Sequence, residues 1–141
     1  MMNTKPNTKP AVLIYESDAC KMALTEICAG LEEESVPYAI YSGCTVSLDE
    51  YDQQQSQNVM HCKSKTLAYA AANHSRVHIG IGITPSAAAM QIKNCHIDKP
   101  VLYIILQEQE SQKLSNQDIY KQSLRRLGTN AARAVKGSVF I

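Results

Sequence analysis

Val77-His78-Ile79-Gly80-Ile81-Gly82-Ile83-Thr84-Pro85-Ser86 is the stretch on which the fold turns. Its aliphatic residues mark a third strand of a sheet covered on both faces. His78 falls within that strand, where a packed or hydrogen-bonded role outweighs a catalytic one. Thr84 followed by Pro85 reads as a helix N-cap with proline at the first helical position. Pro85, Ala88, Ala89 and Ile92 then form the buried stripe of a helix. Glycines at a strand end before a helix N-terminus suit phosphate binding, but the order is not GxGxxG and no P-loop lysine follows. Close packing or a tight turn accounts for the same glycines.

Upstream, Ala11-Val12-Leu13-Ile14-Tyr15 is another continuous apolar run, and a first strand. Ser17 or Asp18 offers an N-cap for a helix from Ala19 to Glu34, with Leu24, Ile27, Cys28 and Leu31 on one stripe. Pro37 stops it, and Tyr38-Ala39-Ile40-Tyr41 forms a second strand. The polar segment 42–60, Gln-rich from Gln53 to Asn58, reads as a loop, and 62–73 as an alanine-rich helix. Downstream, Lys99-Pro100 opens a fourth strand, Val101 to Leu106, followed by a polar linker to Asn116. An amphipathic helix carries Tyr120, Ser123, Leu124 and Leu127, and Gly128 breaks it. Thr129 caps a short helix through Lys136, with Gly137 at its C-terminus, and Ser138 to Ile141 form an edge strand. This alternation predicts an α/β fold: a single open, mostly parallel sheet with helices on both faces. Residues 1–9 form a polar tail and 10–141 a single domain.

Composition narrows the function. The chain has 141 residues, 45% of them hydrophobic, enough for one core. A formal net charge of +1 argues against a nucleic-acid or membrane surface. The N-terminus carries no apolar signal segment, and the apolar runs are too short to span a bilayer. Cys20, Cys28, Cys44, Cys62 and Cys95 are odd in number and without CxxC spacing, as in a reduced cytoplasmic protein. A zinc site would have to unite His61-Cys62 with Cys95-His96; buried free thiols are the commoner outcome.

Glu32-Glu33-Glu34 is the most pointed cluster. Three carboxylates in the last turn of a helix oppose its dipole and repel one another. Counting from Leu24, Glu33 lies about 180° from the apolar stripe, so it is the carboxylate best presented outward. That fits a solvated acidic face or a contact with a cation or a basic partner surface. Lys121, Arg125, Arg126, Arg133 and Lys136 form a basic C-terminal stretch, suited to solvated helix faces or an acidic protein partner. GxSxG, HExxH and a Cys–His–Asp set are absent. Asp18 sits where a receiver domain holds its phosphoacceptor, but only Glu16 accompanies it. The residues describe a binding or assembly module.

Three segments together resemble the small subunit of diol and glycerol dehydratase reactivating factors. They are Leu31-Glu32-Glu33-Glu34-Ser35-Val36-Pro37-Tyr38, Ile79-Gly80-Ile81-Gly82, and above all Gly128-Thr129-Asn130-Ala131-Ala132-Arg133-Ala134-Val135-Lys136-Gly137. The last is similar to the family's Gly-x-Asn-Ala-Ala-Arg-x-Val-Lys-Gly signature. The resemblance runs from Ala11 to Phe140; it departs at Ser35, where glycine is usual, around 45–60, and in the linker around 107–118.

The resemblance implies a flavodoxin/Rossmann-like fold similar to that of a dehydratase subunit, and a non-catalytic role. The implied partner is a large ATPase subunit, which carries the ATP or ADP, in a heterotetramer of two large and two small subunits. Together they release damaged cobalamin from inactivated adenosylcobalamin-dependent dehydratase by subunit swapping. A DxHxxG cobalamin motif is absent here, and the resemblance implies no cobalamin site in this chain. It does imply an interface Mg²⁺ reached by Glu33, with Glu32 and Glu34 flanking and Arg133 and Lys136 touching the partner. The implied location is the cytoplasm, either free or associated with a bacterial microcompartment. Two alternatives stand beside this: a flavodoxin-like phosphate or small-molecule binder at Gly80–Ser86, and a structural subunit of the dehydratase itself.

Overall fold

The computed structural model describes residues 10–42, 63–106 and 114–141. Five strands, β1 (Val12–Glu16), β2 (Tyr38–Ser42), β3 (Ile79–Thr84), β4 (Ala87–Ile92) and β5 (Leu102–Ile105), form one sheet in the order β2-β1-β3-β4-β5. Three helices, α1 (Lys21–Glu33), α2 (Lys63–His74) and α3 (Leu114–Lys136), complete the fold.

β1 pairs in parallel with both β2 and β3. Because β2 and β3 flank β1 on opposite sides, crossovers of one hand send α1 and α2 to opposite faces of the sheet. On one face, Ile27 and Leu31 of α1 and Leu124, Leu127 and Ala131 of α3 pack with Val12, Ile14, Ile81 and Met90. On the other face α2 lies across β1, β3 and β4.

The expected helix after Pro85 is instead β4. Pro85-Ser86 is a two-residue turn, with Thr84 opposite Ala87 and Ile79 opposite Ile92 in an antiparallel hairpin. β5 pairs antiparallel with β4, so the sheet is mixed rather than mostly parallel. The strand order is the 2-1-3-4-5 of flavodoxin-like sheets, but β4 runs against both neighbours and a wholly parallel doubly wound sheet is not formed. The physical reason is that Ala87 to Gln91 are all buried. A strand covered on both faces loses its period-two signal, and small residues fit either element.

β3 is glycine-bearing because α2 rests on it. A Cβ at Gly80 would lie 2.1 Å from the Ala72 nitrogen, and one at Gly82 would lie 2.2 Å from the Ser64 oxygen. Gly128 does not break α3. It lets α3 cross α1, where a Cβ would meet the Ile27 oxygen at 2.1 Å. Thr129, expected to cap a second helix, is interior to α3, its hydroxyl donating to the Arg125 carbonyl at 3.0 Å.

Ser17 and Asp18 do not cap α1. Cys20 occupies that position without a side-chain bond, while Glu16 Oε1 accepts the Ala19 N–H at 2.9 Å. Ser138 to Ile141 form no strand, and His78 sits before β3 at φ 67°. No described helix is long and apolar enough to cross a membrane. The tail 1–9, nearly all of the segment 42–60, and His61, Cys44 and Cys62 lie outside the described residues.

Candidate functional site

The acidic triplet sits where α1 turns into β2. Val36 N–H donates to the Leu31 carbonyl and Ser35 N–H to the Glu32 carbonyl, and Ser35 adopts φ 60°. These bonds define a Schellman ending, in which the left-handed position usually falls to glycine. α3 ends the same way: Ser138 N–H donates to the Arg133 carbonyl and Gly137 takes φ 76°. The two ends lie side by side through the α1–α3 crossing. A Cβ at Gly30 would stand 2.2 Å from the Arg125 oxygen, so the C-terminal halves of both helices come close enough to share side chains.

Successive residues of a helix diverge by about 100°, and the three carboxylates accordingly find different partners. Glu32 Oε2 accepts the Tyr38 hydroxyl at 2.5 Å. Glu33 Oε2 meets Arg125 Nη1 at 3.0 Å, and the same guanidinium reaches Glu26 Oε1 at 3.0 Å. Glu34 is held by Lys136 Nζ at 2.9 Å and Arg133 Nη2 at 3.5 Å. Arg133 also donates to the Val139 carbonyl at 3.1 Å. The mutual repulsion of the triplet, and its clash with the helix dipole, are thereby offset by three cations from α3.

The Lys136 hydrogen bond, aided by the charges of Lys136 and Arg133, lowers the Glu34 carboxyl below its ordinary range. The hydrogen bond to Glu32, reinforced by burial, holds the Tyr38 proton well above the ordinary phenol range. Burial raises the Cys28 thiol, against a lowering hydrogen bond from Tyr38.

The structure therefore brings together the five residues to which the resemblance gave a metal or partner role: Glu32, Glu33, Glu34, Arg133 and Lys136. It adds Glu26 and Tyr38, and gives Arg125 of the basic stretch its partners. Nothing in the sequence pairs Arg125 with Glu33 across 92 positions; the shared seam of α1 and α3 does. Glu33 is the most solvent-open carboxylate of the ion-paired acids, with 56% of its side chain exposed. It borders a shallow hollow of about 240 Å³ with Gln122, Arg125, Arg126 and Thr129. Among the described residues, no three His, Cys, Asp or Glu side chains converge into a metal-holding group.

The phosphate reading of Gly80–Ser86 loses its premise. The glycines are covered by α2, and the turn leads into a strand rather than a helix N-terminus.

Three comparisons bear on this arrangement. The chain is 26% identical over 133 residues to the propanediol dehydratase-reactivating factor small subunit of Citrobacter freundii, covering 94% of this chain and 91% of that protein. Its fold is similar to a solved diol dehydratase-reactivating factor complexed with ADP and Mg²⁺, with TM-score 0.65, 24% identity, and 95% and 99% of the two chains covered. It is also similar to a solved glycerol dehydratase reactivase, with TM-score 0.70, 21% identity, and coverage of 94% and 97%. The resemblance read from the three segments is thus met along the whole chain. The model of the dehydratase medium subunit family matches residues 9–140, and the chain belongs to that family.

Proposed function

We propose that this chain is the small, non-catalytic subunit of a dehydratase reactivating factor. It works with a larger ATP-hydrolysing subunit to release damaged cobalamin from an adenosylcobalamin-dependent diol or glycerol dehydratase. Release proceeds by subunit exchange: the small subunit leaves its large partner, and a dehydratase subunit of similar fold takes the vacated place. The observation that carries this reading is the end-to-end similarity to the Citrobacter freundii small subunit, which spans 94% of this chain and 91% of that protein. The assembly has two large and two small subunits and works in the cytoplasm.

Glu33 is the residue through which this chain would reach an interface Mg²⁺. Its carboxylate is open to solvent, and Arg125 engages only Oε2. Mg²⁺ characteristically takes one or two protein carboxylates and completes its shell with water and phosphate. A single outward oxygen on a rigid helix end suits that need, with the rest of the shell coming from outside this chain. Mg²⁺ there would neutralise charge between the two subunits. Arg125 holds the carboxylate in place, and Glu32 and Glu34, tied to Tyr38 and to Arg133 and Lys136, set the helix end that presents it.

A pull-down with a large reactivase subunit, with and without ATP and Mg²⁺, tests the reading. A complex that loosens with nucleotide is expected. Glu33→Gln should weaken assembly in Mg²⁺ about tenfold, the scale of one lost charge-assisted contact, and leave the isolated fold intact. The family description itself favours a second reading, a structural subunit of a dehydratase. Co-purification with dehydratase subunits in the absence of the ATPase would select it.

A further inference from the structure

β5 is the outermost strand of the sheet, and no described strand covers its free side. Its backbone can be read atom by atom. Ala87 faces Ile105 and Ala88 faces Ile104, and Leu106 N–H donates to the Ser86 carbonyl at 2.8 Å. Hydrogen-bonded and non-bonded pairs alternate along an antiparallel ladder. Ile104 therefore turns its N–H and C=O toward β4, while Tyr103 and Ile105 turn theirs outward. Edge strands are commonly blunted by a charge, a proline or a bulge. β5 reads Leu-Tyr-Ile-Ile and has neither charge nor proline. Ile105 is 61% exposed and Tyr103 37% exposed.

The edge adjoins a charged floor. Between β5 and α3 runs a shallow groove of about 170 Å³, lined by Leu102, Ile104, Ser123, Arg126, Leu127 and Asn130. Arg126 also lines the hollow that holds Glu33. The surface is thus continuous from Glu33, across Arg126, to the free edge. Arg125 is paired with Glu26 and Glu33, and Arg133 with Glu34, yet exposed Arg126 has no ion-pair partner among the described residues. A groove with a strand edge on one wall and, on the other, a guanidinium without an ion-pair partner among the described residues has the chemistry for an extended peptide carrying a carboxylate.

We propose that the free edge of β5 seats an extended segment of the large partner subunit, added to the sheet as a sixth strand, with an acidic side chain of that segment paired to Arg126. This rests on the reactivating-factor reading, since it takes the same partner that Glu33 would meet across the shared surface.

Hydrogen exchange of the chain, alone and bound to the full-length large subunit, reads the edge directly. The Tyr103 and Ile105 amides should slow at least tenfold in the complex. Ile105→Pro removes one outward N–H and spares the bonds to β4; it should weaken binding at least tenfold with an unchanged circular dichroism spectrum. Arg126→Glu, on an exposed helix position, should weaken it comparably, and the wild-type advantage should shrink with salt. Wild-type binding without slowing at Tyr103 and Ile105, and undiminished in both variants, overturns the proposal and leaves the functional reading standing. Failure of the wild-type chain to bind overturns both. A free chain that sediments as a dimer, which Ile105→Pro splits, gives the edge to a second copy and also overturns it.

Discussion

On one face of the sheet, α2 meets β3 with Gly80 and Gly82 as its bed; on the other, α1 meets α3 at Gly30 and Gly128. Both contacts depend on missing side chains, and a Cβ would intrude to between 2.1 and 2.2 Å at all four positions. Their rims differ. The α2 seam is neutral, built on Ser64, Leu67, Ala68, Ala71 and Ala72, each buried. The α1–α3 seam is apolar at Ile27, Leu31, Leu124 and Leu127 but ends in Glu26, Glu33 and Glu34 facing Arg125, Arg133 and Lys136. Small residues determine how close two elements come, and charge appears only where the contact reaches water. One seam holds the fold together; the other also displays a pattern that a partner can read.

The hardest test of the comparison is to fill each seam. Gly82→Ala should cost about 3 kcal/mol or more, because the intruding Cβ meets backbone on a helix locked against a sheet. Gly128→Ala should cost about 1–3 kcal/mol, since two helices can slide apart. Urea unfolding midpoints of both variants check this, and equal losses would mean that the seams are equally rigid. Next in size is Ser35→Gly. Serine bears the left-handed strain at the end of α1 that Gly137 relieves at the end of α3. The change should stabilise by about 0.5–1 kcal/mol, read as a higher melting temperature.

The charged rim should matter least to stability. Arg125→Ala removes two partly exposed pairs and should cost under about 1 kcal/mol in all, less at high salt. A loss unaffected by salt would show that Arg125 acts through packing. The pH response sharpens the same point. The Tyr38 phenol is raised in the folded state, so its contribution is full below the ordinary phenol range near pH 10 and fades as pH rises further. Tyrosinate absorbance should therefore show a late-titrating group that Tyr38→Phe removes. Glu34 works in the opposite direction. Its lowered carboxyl contributes above the ordinary carboxylate range and loses that contribution as the medium is acidified.

Much of this was legible in the chain. Continuous apolar runs mark β1 and β3, helical spacing marks α1, and Gly137 marks the end of α3, because these signals depend on near neighbours. The acidic triplet was legible too, and so was Glu33 as its outward member, by rotation about one helix. Ala87 to Ile92 was not, since a run of small residues buried on both faces suits helix and strand alike. Gly128 misled for a related reason: its local propensity breaks a helix, but the need to pass Ile27 closely keeps it within one. The sequence by itself determined which residues seek burial and which can cap or turn. Only the tertiary structure decided that Arg125 stands against Glu33, that β4 runs antiparallel to β3, and that β5 ends the sheet with no described strand beyond it. Pairings between residues far apart in the chain cost loop entropy that only the assembled core repays.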